Sequence, residues 1–355
     1  MTQARDAATS AWDRFLFEPR STSPAALLRI GWGILATLWA LTLLPDVDPL
    51  LEGGALGYER PLPTGSWNLL ELTSWDGAPL AMCLLLVLVG ITTTVGYQTR
   101  LSTAVAVVCM VCLQRQNTTI INSGDLMLRQ VGIALALTPA GLLLSVDEIR
   151  QRRRGRAADR GAADRDGAAD SAEADRGPLR APWALRLLQL ELAVGYFLSC
   201  WAKLRGSTWH EGTALGLALR IEDLQRFAAP EWLYDQEILL NLLTWGTLLF
   251  EGAFLFAVWS RRLRPWVLWI GVAFHVGIDL LFDVGFFSLT MLVAYLAFLP
   301  PETADDVVAW LRRRLGPGPT ADPVTVAGRA ADKAQDPRAA DELPAQVPLA
   351  VEPPQ

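Results

Sequence analysis

Four ionisable side chains stand inside otherwise apolar stretches: Lys203, Glu251, His275 and Asp279. A charge in a hydrocarbon layer is costly, so such residues face a bundle interior or a cavity and mark candidate sites. Around the first, residues 189–212 read QLELAVGYFLSCWAKLRGSTWHEG. At helical spacing Gln189, Tyr196, Ser199 and Lys203 fall on one stripe about 80° wide. Such a stripe lines a cavity or a hydrogen-bonded seam. Two roles are open to Lys203. Its long stem can carry the amine out to the membrane interface. Alternatively, an amine taken out of water can act as a general base. Arginine cannot do this, because it stays protonated. Of 31 basic residues only Lys203 and Lys333 are lysine, which leans toward the second role.

His275 and Asp279 are four residues apart, so on one helix the carboxylate can fix the imidazole tautomer. Asp279 is also a possible partner for Lys203, whereas Glu251 falls deeper, toward the cytoplasmic half. A further polar group lies at 115–130, RQNTTIINSGDLMLRQ, with Arg115, Asn117, Asn122, Asp125 and Arg129. Asp125 and Arg129, again four apart, can pair on one face. The group reads either as the wall of an outward-facing pocket or as an ion-pair network closing the bundle end. Cys109 and Cys112 form C-x-x-C among Val and Met, which fits buried packing rather than metal or redox chemistry. Two histidines and no thiol pair in a polar setting give no metal site.

The elements that must position these groups are membrane helices. About 20 mostly apolar residues span a bilayer core. Eight stretches qualify: 24–44, 79–97, 101–116, 125–144, 183–204, 237–259, 265–282 and 284–300. The expected fold is therefore an all-α, polytopic integral membrane bundle of about eight transmembrane helices. Basic clusters set its orientation. They are Arg14 and Arg20; Arg100; Arg150, Arg152, Arg153, Arg154 and Arg156; Arg261, Arg262 and Arg264; and Arg312, Arg313 and Arg314. Eight spans place all five on one side, with both termini cytoplasmic. Residues 1–23 then form a cytoplasmic interfacial segment. Residues 24–149 carry spans one to four, and 182–315 carry spans five to eight with a short surface helix around Val307, Val308, Trp310 and Leu311. The Arg/Ala/Asp/Gly run at 150–181 reads as a disordered cytoplasmic linker, and 316–355 as a disordered tail.

Composition agrees. Of 355 residues 52% are hydrophobic and only 19% charged, against about 25% charged in soluble chains. Fourteen Trp suit membrane–water interfaces. The mean hydropathy of +0.27 averages apolar spans with two very polar segments. A net charge of −6 excludes nucleic acid as a partner and leaves the lipid bilayer.

Four segments resemble the HTTM domain, the membrane module related to vitamin K-dependent gamma-carboxylases: AWDRFLFEPRSTSPAALLRIGWG (11–33), RQNTTIINSGDLMLRQVGIALALTPAGLLLSVD (115–147), GYFLSCWAKLRGSTWHEG (195–212) and FEGAFLFAVW with FHVGIDLLFDVGFFSLTMLVAYLAFLP (250–299). The third is similar to a carboxylase stretch of Tyr-Phe, a small-residue pair, Lys-Leu, then Trp and a Gly three residues on, here Trp209 and Gly212. The resemblance implies that Lys203 deprotonates a vitamin K-type hydroquinone. Reaction with oxygen then yields an epoxide and a strong base that removes a glutamyl proton from a peptide substrate. An enzyme of this kind predicts a cavity reached from the outer leaflet and lined by Lys203, Tyr196, Asn117 and His275. The chain departs from the eukaryotic carboxylases in having Asn117-Thr118 in place of an Asn-His pair. A large extracytoplasmic domain after the last span is also expected to be missing.

Two functions follow as expectations. One is a membrane enzyme that oxidises a quinol, with Lys203 and His275 catalytic. The other is a non-catalytic scaffold or transport component, or the membrane partner in maturing a secreted toxin peptide. In a scaffold the polar residues pair with one another and leave no cavity, and Lys203 has a carboxylate within about 4 Å, the range that holds a charge.

Overall fold

A computed structural model describes residues 2–47, 67–117, 121–160 and 178–315. The chain divides into two compact units, one ending at Ala309 and one beginning at Trp310. In the second, only residues 310–315 are described, and they continue a helix. The expected tail, with Lys333, and residues 48–66 between the first two expected spans lie outside the described residues.

The described chain is mostly helix. Its principal helices are α1 (Thr2–Phe17), α2 (Ser23–Leu43), α3 (Ala78–Val95), α4 (Thr99–Gln116), α5 (Ser123–Leu137), α6 (Val146–Arg160), α7 (Trp183–Lys203), α8 (Glu237–Ala257), α9 (Arg264–Leu281), α10 (Phe287–Ala294) and α11 (Pro301–Leu315). Two strands of two residues, β1 (Arg20–Ser21) and β2 (Leu179–Arg180), pair antiparallel with Arg20 opposite Arg180.

Four of these helical segments are long and apolar enough to cross a membrane: Ser23–Asp46, Ala78–Val95, Glu237–Ala257 and Arg264–Leu281. A bent pair, Phe287–Phe298 with Pro301–Arg314, makes five if it counts as one span. The expected spans at 101–116, 125–144 and 183–204 are helices as well, but more polar or shorter. α4 carries Arg100, Gln114, Arg115 and Gln116, and α7 carries Arg186, Glu191 and Lys203. α5 stops at Leu137, where Thr138 takes an extended backbone conformation before Pro139. Its 15 residues reach only about 22 Å.

α2 is the centre of the bundle. Trp32 and Arg29 are fully buried on it. Trp32 Nε1 donates to Leu128 O at 2.7 Å, and Trp39 Nε1 donates to the Asp125 carboxylate at 2.7 Å. α2 and α3 approach most closely at Gly33 and Gly90. A Cβ at Gly33 would lie 2.8 Å from Thr94 N, and one at Gly90 would lie 3.1 Å from Thr37 N. Thr37 Oγ1 returns to Gly33 O and Thr94 Oγ1 to Gly90 O, so neither hydroxyl lacks a partner. Small residues at helix contacts are how membrane helices gain packing when lipid removes the hydrophobic drive. Outward, Leu88, Ile91, Leu249, Phe256, Trp266 and Trp269 are exposed. These positions suit acyl chains, with the tryptophans next to the basic 261–264 turn.

Two expectations change here. Residues 150–160 of the presumed linker continue α6, whose first turn is fixed. Asp147 accepts from Gln98 N, Thr99 N and Thr99 Oγ1, each at 2.9 Å. Residues 161–177 lie outside the described residues. The expected Asp125–Arg129 pair does not form. Asp125 Oδ2 accepts from Asn122 N at 3.0 Å, while Asn122 Oδ1 accepts from Gly124 N and Asp125 N. This is a capping box that fixes the start of α5. Arg129 instead donates to Gln114 Oε1 at 3.0 Å. The capping geometry turns the carboxylate back toward the helix start, away from residue 129.

Candidate functional site

α7, α8, α9 and α10 enclose a cavity of about 410 Å³, covered by the segment that follows α7. Short helices Ser207–His210 and Ala214–Ala218 form that cover. The bridge between Gln225 and Phe282 fastens its far end, with Arg226 N donating to Leu281 O and Asp283 N to Leu224 O. Most of the wall is apolar, including Met127, Leu192, Phe274, Ile278, Phe287 and Met291.

The polar lining comes from the stripe on α7. Tyr196, Ser199 and Lys203 all reach the cavity, joined by Trp209, Glu251 and His275. Lys203 Nζ lies 2.7 and 2.9 Å from the two Glu251 oxygens and donates to Ser199 Oγ at 2.6 Å. Ser199 Oγ donates to Glu251 Oε1 at 3.2 Å, closing the triangle. Trp209 covers the amine, its ring centroid 5.3 Å from Nζ, in cation–π range. The Glu251 side chain is 5% exposed and that of Lys203 23%, so the carboxylate is the buried member.

A second set lies alongside. The Tyr196 hydroxyl is 2.5 Å from His275 Nε2 and also bonds the Tyr295 hydroxyl. His275 is fully buried, and its Nδ1 has no hydrogen-bond partner among the described residues. Phe274, Phe287 and Tyr295 pack their rings around the imidazole. Tyr196→Phe therefore strands two buried polar groups. It should cost about 1–3 kcal/mol of stability, read by thermal unfolding of the detergent-solubilised protein. A change below about 0.5 kcal/mol would mean that the hydroxyl contributes little.

Of the expected site residues, the structure gathers Lys203, Tyr196, Ser199, Trp209 and His275 into one cavity. It leaves the others outside. Gln189 lies on the same stripe but two turns from Tyr196; its amide donates to Ala297 O at 2.5 Å and accepts from Arg186 at 2.8 Å. Arg115 donates to Trp67 O and stacks on the Trp67 ring. Asn117 is buried at the end of α4. Asn122, Asp125 and Arg129 hold the α4–α5 junction, which meets the cavity through Ser123 and Met127 instead. Asp279 supports neither His275 nor Lys203. Its carboxylate faces Arg226 at 3.3 Å, where Asp283 joins the same guanidinium. Helix α9 presents residues 275 and 279 to different neighbours, the one to Tyr196 and the other to the covering segment.

Glu251 is the main correction. The sequence places it toward the cytoplasmic half, away from Lys203. α7 ends at Lys203 while α8 continues roughly 21 Å beyond the contact, so the end of one helix meets the interior of the other. Cys200, whose Sγ lies 3.4 Å from Leu248 O, marks the same register. Tyr295 was also missed, because nothing in its local sequence distinguishes it from an interfacial aromatic.

Helices of this length and apolarity make the chain a multi-pass membrane protein. No curated protein and no solved structure matches it. The stretches at 11–33 and 115–147 lie outside the region that a family model covers. Residues 166–302, which carry Lys203, Glu251 and His275, match the model of the HTTM domain.

Proposed function

We propose that this protein is a membrane enzyme of the vitamin K-dependent carboxylase-like type, with Lys203 as the base toward a lipid-soluble hydroquinone. The cavity carries this reading: an apolar chamber with a buried amine–carboxylate pair at one end. Its volume is within the range of small-molecule sites. Its polar groups suit a flat quinol: Lys203 as proton acceptor, the Tyr196 hydroxyl as donor or acceptor, and His275 Nδ1 as a buried nitrogen without a partner among the described residues. Glu251 positions the amine at the chamber wall through contacts of 2.7 and 2.9 Å. Ser199 keeps the pair aligned. Trp209 and the covering segment exclude water. A bound naphthohydroquinone supplies, with oxygen, the oxidative chemistry that such enzymes couple to modification of an extracytoplasmic peptide. We place the chain in the cell membrane with eight spans and both termini cytoplasmic, counting α4, α5 and α7 as spans within the bundle.

The test is conversion of naphthohydroquinone to its epoxide by the purified, reconstituted full-length protein in air. Lys203→Ala should lower the rate at least about 100-fold, the usual share of a general base. No epoxide from folded protein sinks the proposal. The ion pair itself favours a second reading, a non-catalytic scaffold or a partner in peptide maturation, because a carboxylate stands within 4 Å of Lys203. Lys203→Arg separates the two. It keeps the charge and the pair but cannot lose a proton. Full function of that variant would establish the scaffold.

A further inference from the structure

A second cavity, of about 690 Å³, opens between the start of α9, the α10 region and the start of α11. Its inner wall is apolar, formed by Leu268, Val272, Leu292 and Leu296. Its rim carries Arg20, Arg261 and Arg264. No residue lines both it and the Lys203 chamber; Tyr295, which lines this one, bonds to Tyr196 of the other.

The charge at the rim is unbalanced. Arg264 lies within electrostatic range of both Arg261 and Arg20, and Arg186 lies within range of Arg20 and Arg264. Arg180 sits directly across the two-stranded ladder from Arg20. The carboxylates nearby are Glu18, 3.1 Å from Arg20, Glu302, which itself lines the cavity, and Asp305, which is taken up by the hydroxyls of Ser21 and Ser23. Arg264 is occupied with the α8–α9 turn, donating to Val258 O at 2.8 Å and Trp259 O at 3.4 Å. The Nε groups of Arg20 and Arg186 are buried and have no hydrogen-bond partner among the described residues. Like charges gathered next to an apolar wall repel strongly, and buried guanidinium N–H groups without acceptors are costly. An anion at the rim offsets the repulsion and offers an acceptor to Arg20, which lines the cavity.

We propose that this cavity binds an anionic phospholipid, its phosphate held among Arg20, Arg261 and Arg264 and one acyl chain lying along Leu268, Val272 and Leu296. Guanidinium forks match phosphate geometry, and basic pockets between membrane helices take such headgroups. The apolar wall selects a lipid over a free phosphate ion. The site is formed at the start of α9 irrespective of any chemistry at Lys203, so its test does not depend on the quinol.

Full-length protein in neutral detergent is titrated with dioleoylphosphatidylglycerol, with dioleoylphosphatidylcholine and with inorganic phosphate, and bound lipid is counted by native mass spectrometry. The anionic lipid should bind at least tenfold more tightly than the choline lipid, and excess inorganic phosphate should not displace it. R261Q/R264Q should abolish the preference, while Arg262→Gln, exposed and outside the cavity, should keep it. Equal affinity for both lipids in the wild type overturns the proposal, as does full displacement by inorganic phosphate. So does an equal loss in Arg262→Gln, which would indicate diffuse surface charge. The wild-type comparison decides the matter even if the double variant does not fold.

Discussion

Glu251→Leu should destabilise the protein by about 3 kcal/mol, and adding Lys203→Met should restore most of it. Removing one member of a buried pair leaves an uncompensated charge, at a cost of about 3–5 kcal/mol. The lower end applies because the Lys203 side chain keeps 23% exposure and Ser199 and Trp209 still face the amine. Replacing both members by apolar groups of similar size is close to neutral in such cases. The two single variants, the double variant and the wild type form a cycle whose interaction term isolates the pair. Unfolding in detergent, followed by circular dichroism, gives the four values. A cycle with an interaction below about 0.5 kcal/mol would mean that water reaches the pair and that its geometry contributes little. The result also bears on function. A strongly coupled pair whose double replacement is stable but inactive is kept for chemistry, because stability alone does not require it.

Three of the five site residues legible in the sequence share one property: they repeat on one helix, whereas His275 stood out as an ionisable group in an apolar stretch and Trp209 through the family resemblance. Tyr196, Ser199 and Lys203 were found together because helical spacing places them on one face, and α7 delivers all three to the cavity. Where contact depends on how far one helix slides along another, spacing says nothing. Lys203 and Glu251 are 48 residues apart, and their pairing depends on α7 ending partway along α8. The hydropathy pattern located the helices but treated each as a full span ending at the same plane. For the same reason Asp279 was assigned to His275 by its i, i+4 spacing, although Arg226 on the covering segment competes for it. Local capping also outweighed side-chain pairing at Asp125, since the backbone N–H groups at a helix start need acceptors whatever lies four residues on.

The basic clusters show a different limit. Counted as loop charges, Arg261, Arg262 and Arg264 only orient the chain. The folded chain brings two of them beside Arg20, from nearly 250 residues earlier, around an apolar cavity. A topological signal then becomes a candidate binding site. Nothing in the local sequence separates Arg261 and Arg264, which reach that cavity, from Arg262, which does not.

Gly96→Ala is expected to lower stability by about 3 kcal/mol or more, for two reasons that add. Gly96 ends α3 in the left-handed region, at φ 72°, where its N–H closes the helix onto Thr92 and Thr93. A side chain in that conformation costs roughly 1–2 kcal/mol. The added methyl would also overlap the Arg29 guanidinium and press on Ser145. Arg29 cannot move aside cheaply. It is fully buried, and its Nη2 donates to Leu144 O at 2.6 Å. Shifting it would release that bond as well as crowd the carbonyl of Gly96, which accepts from Asp147 N at 3.0 Å. Three segments meet here: the middle of α2, the end of α3 and the turn into α6. Gly246→Ala on α8 is the control. A Cβ there meets nothing within 4 Å, and a mid-helix Gly→Ala change gains roughly 0.5–1 kcal/mol. Thermal unfolding of the two variants should therefore move in opposite directions. If Gly96→Ala unfolds within about 0.5 kcal/mol of the wild type, Arg29 is not clamped as described, and the α2–α3–α6 junction is softer than its hydrogen bonds indicate.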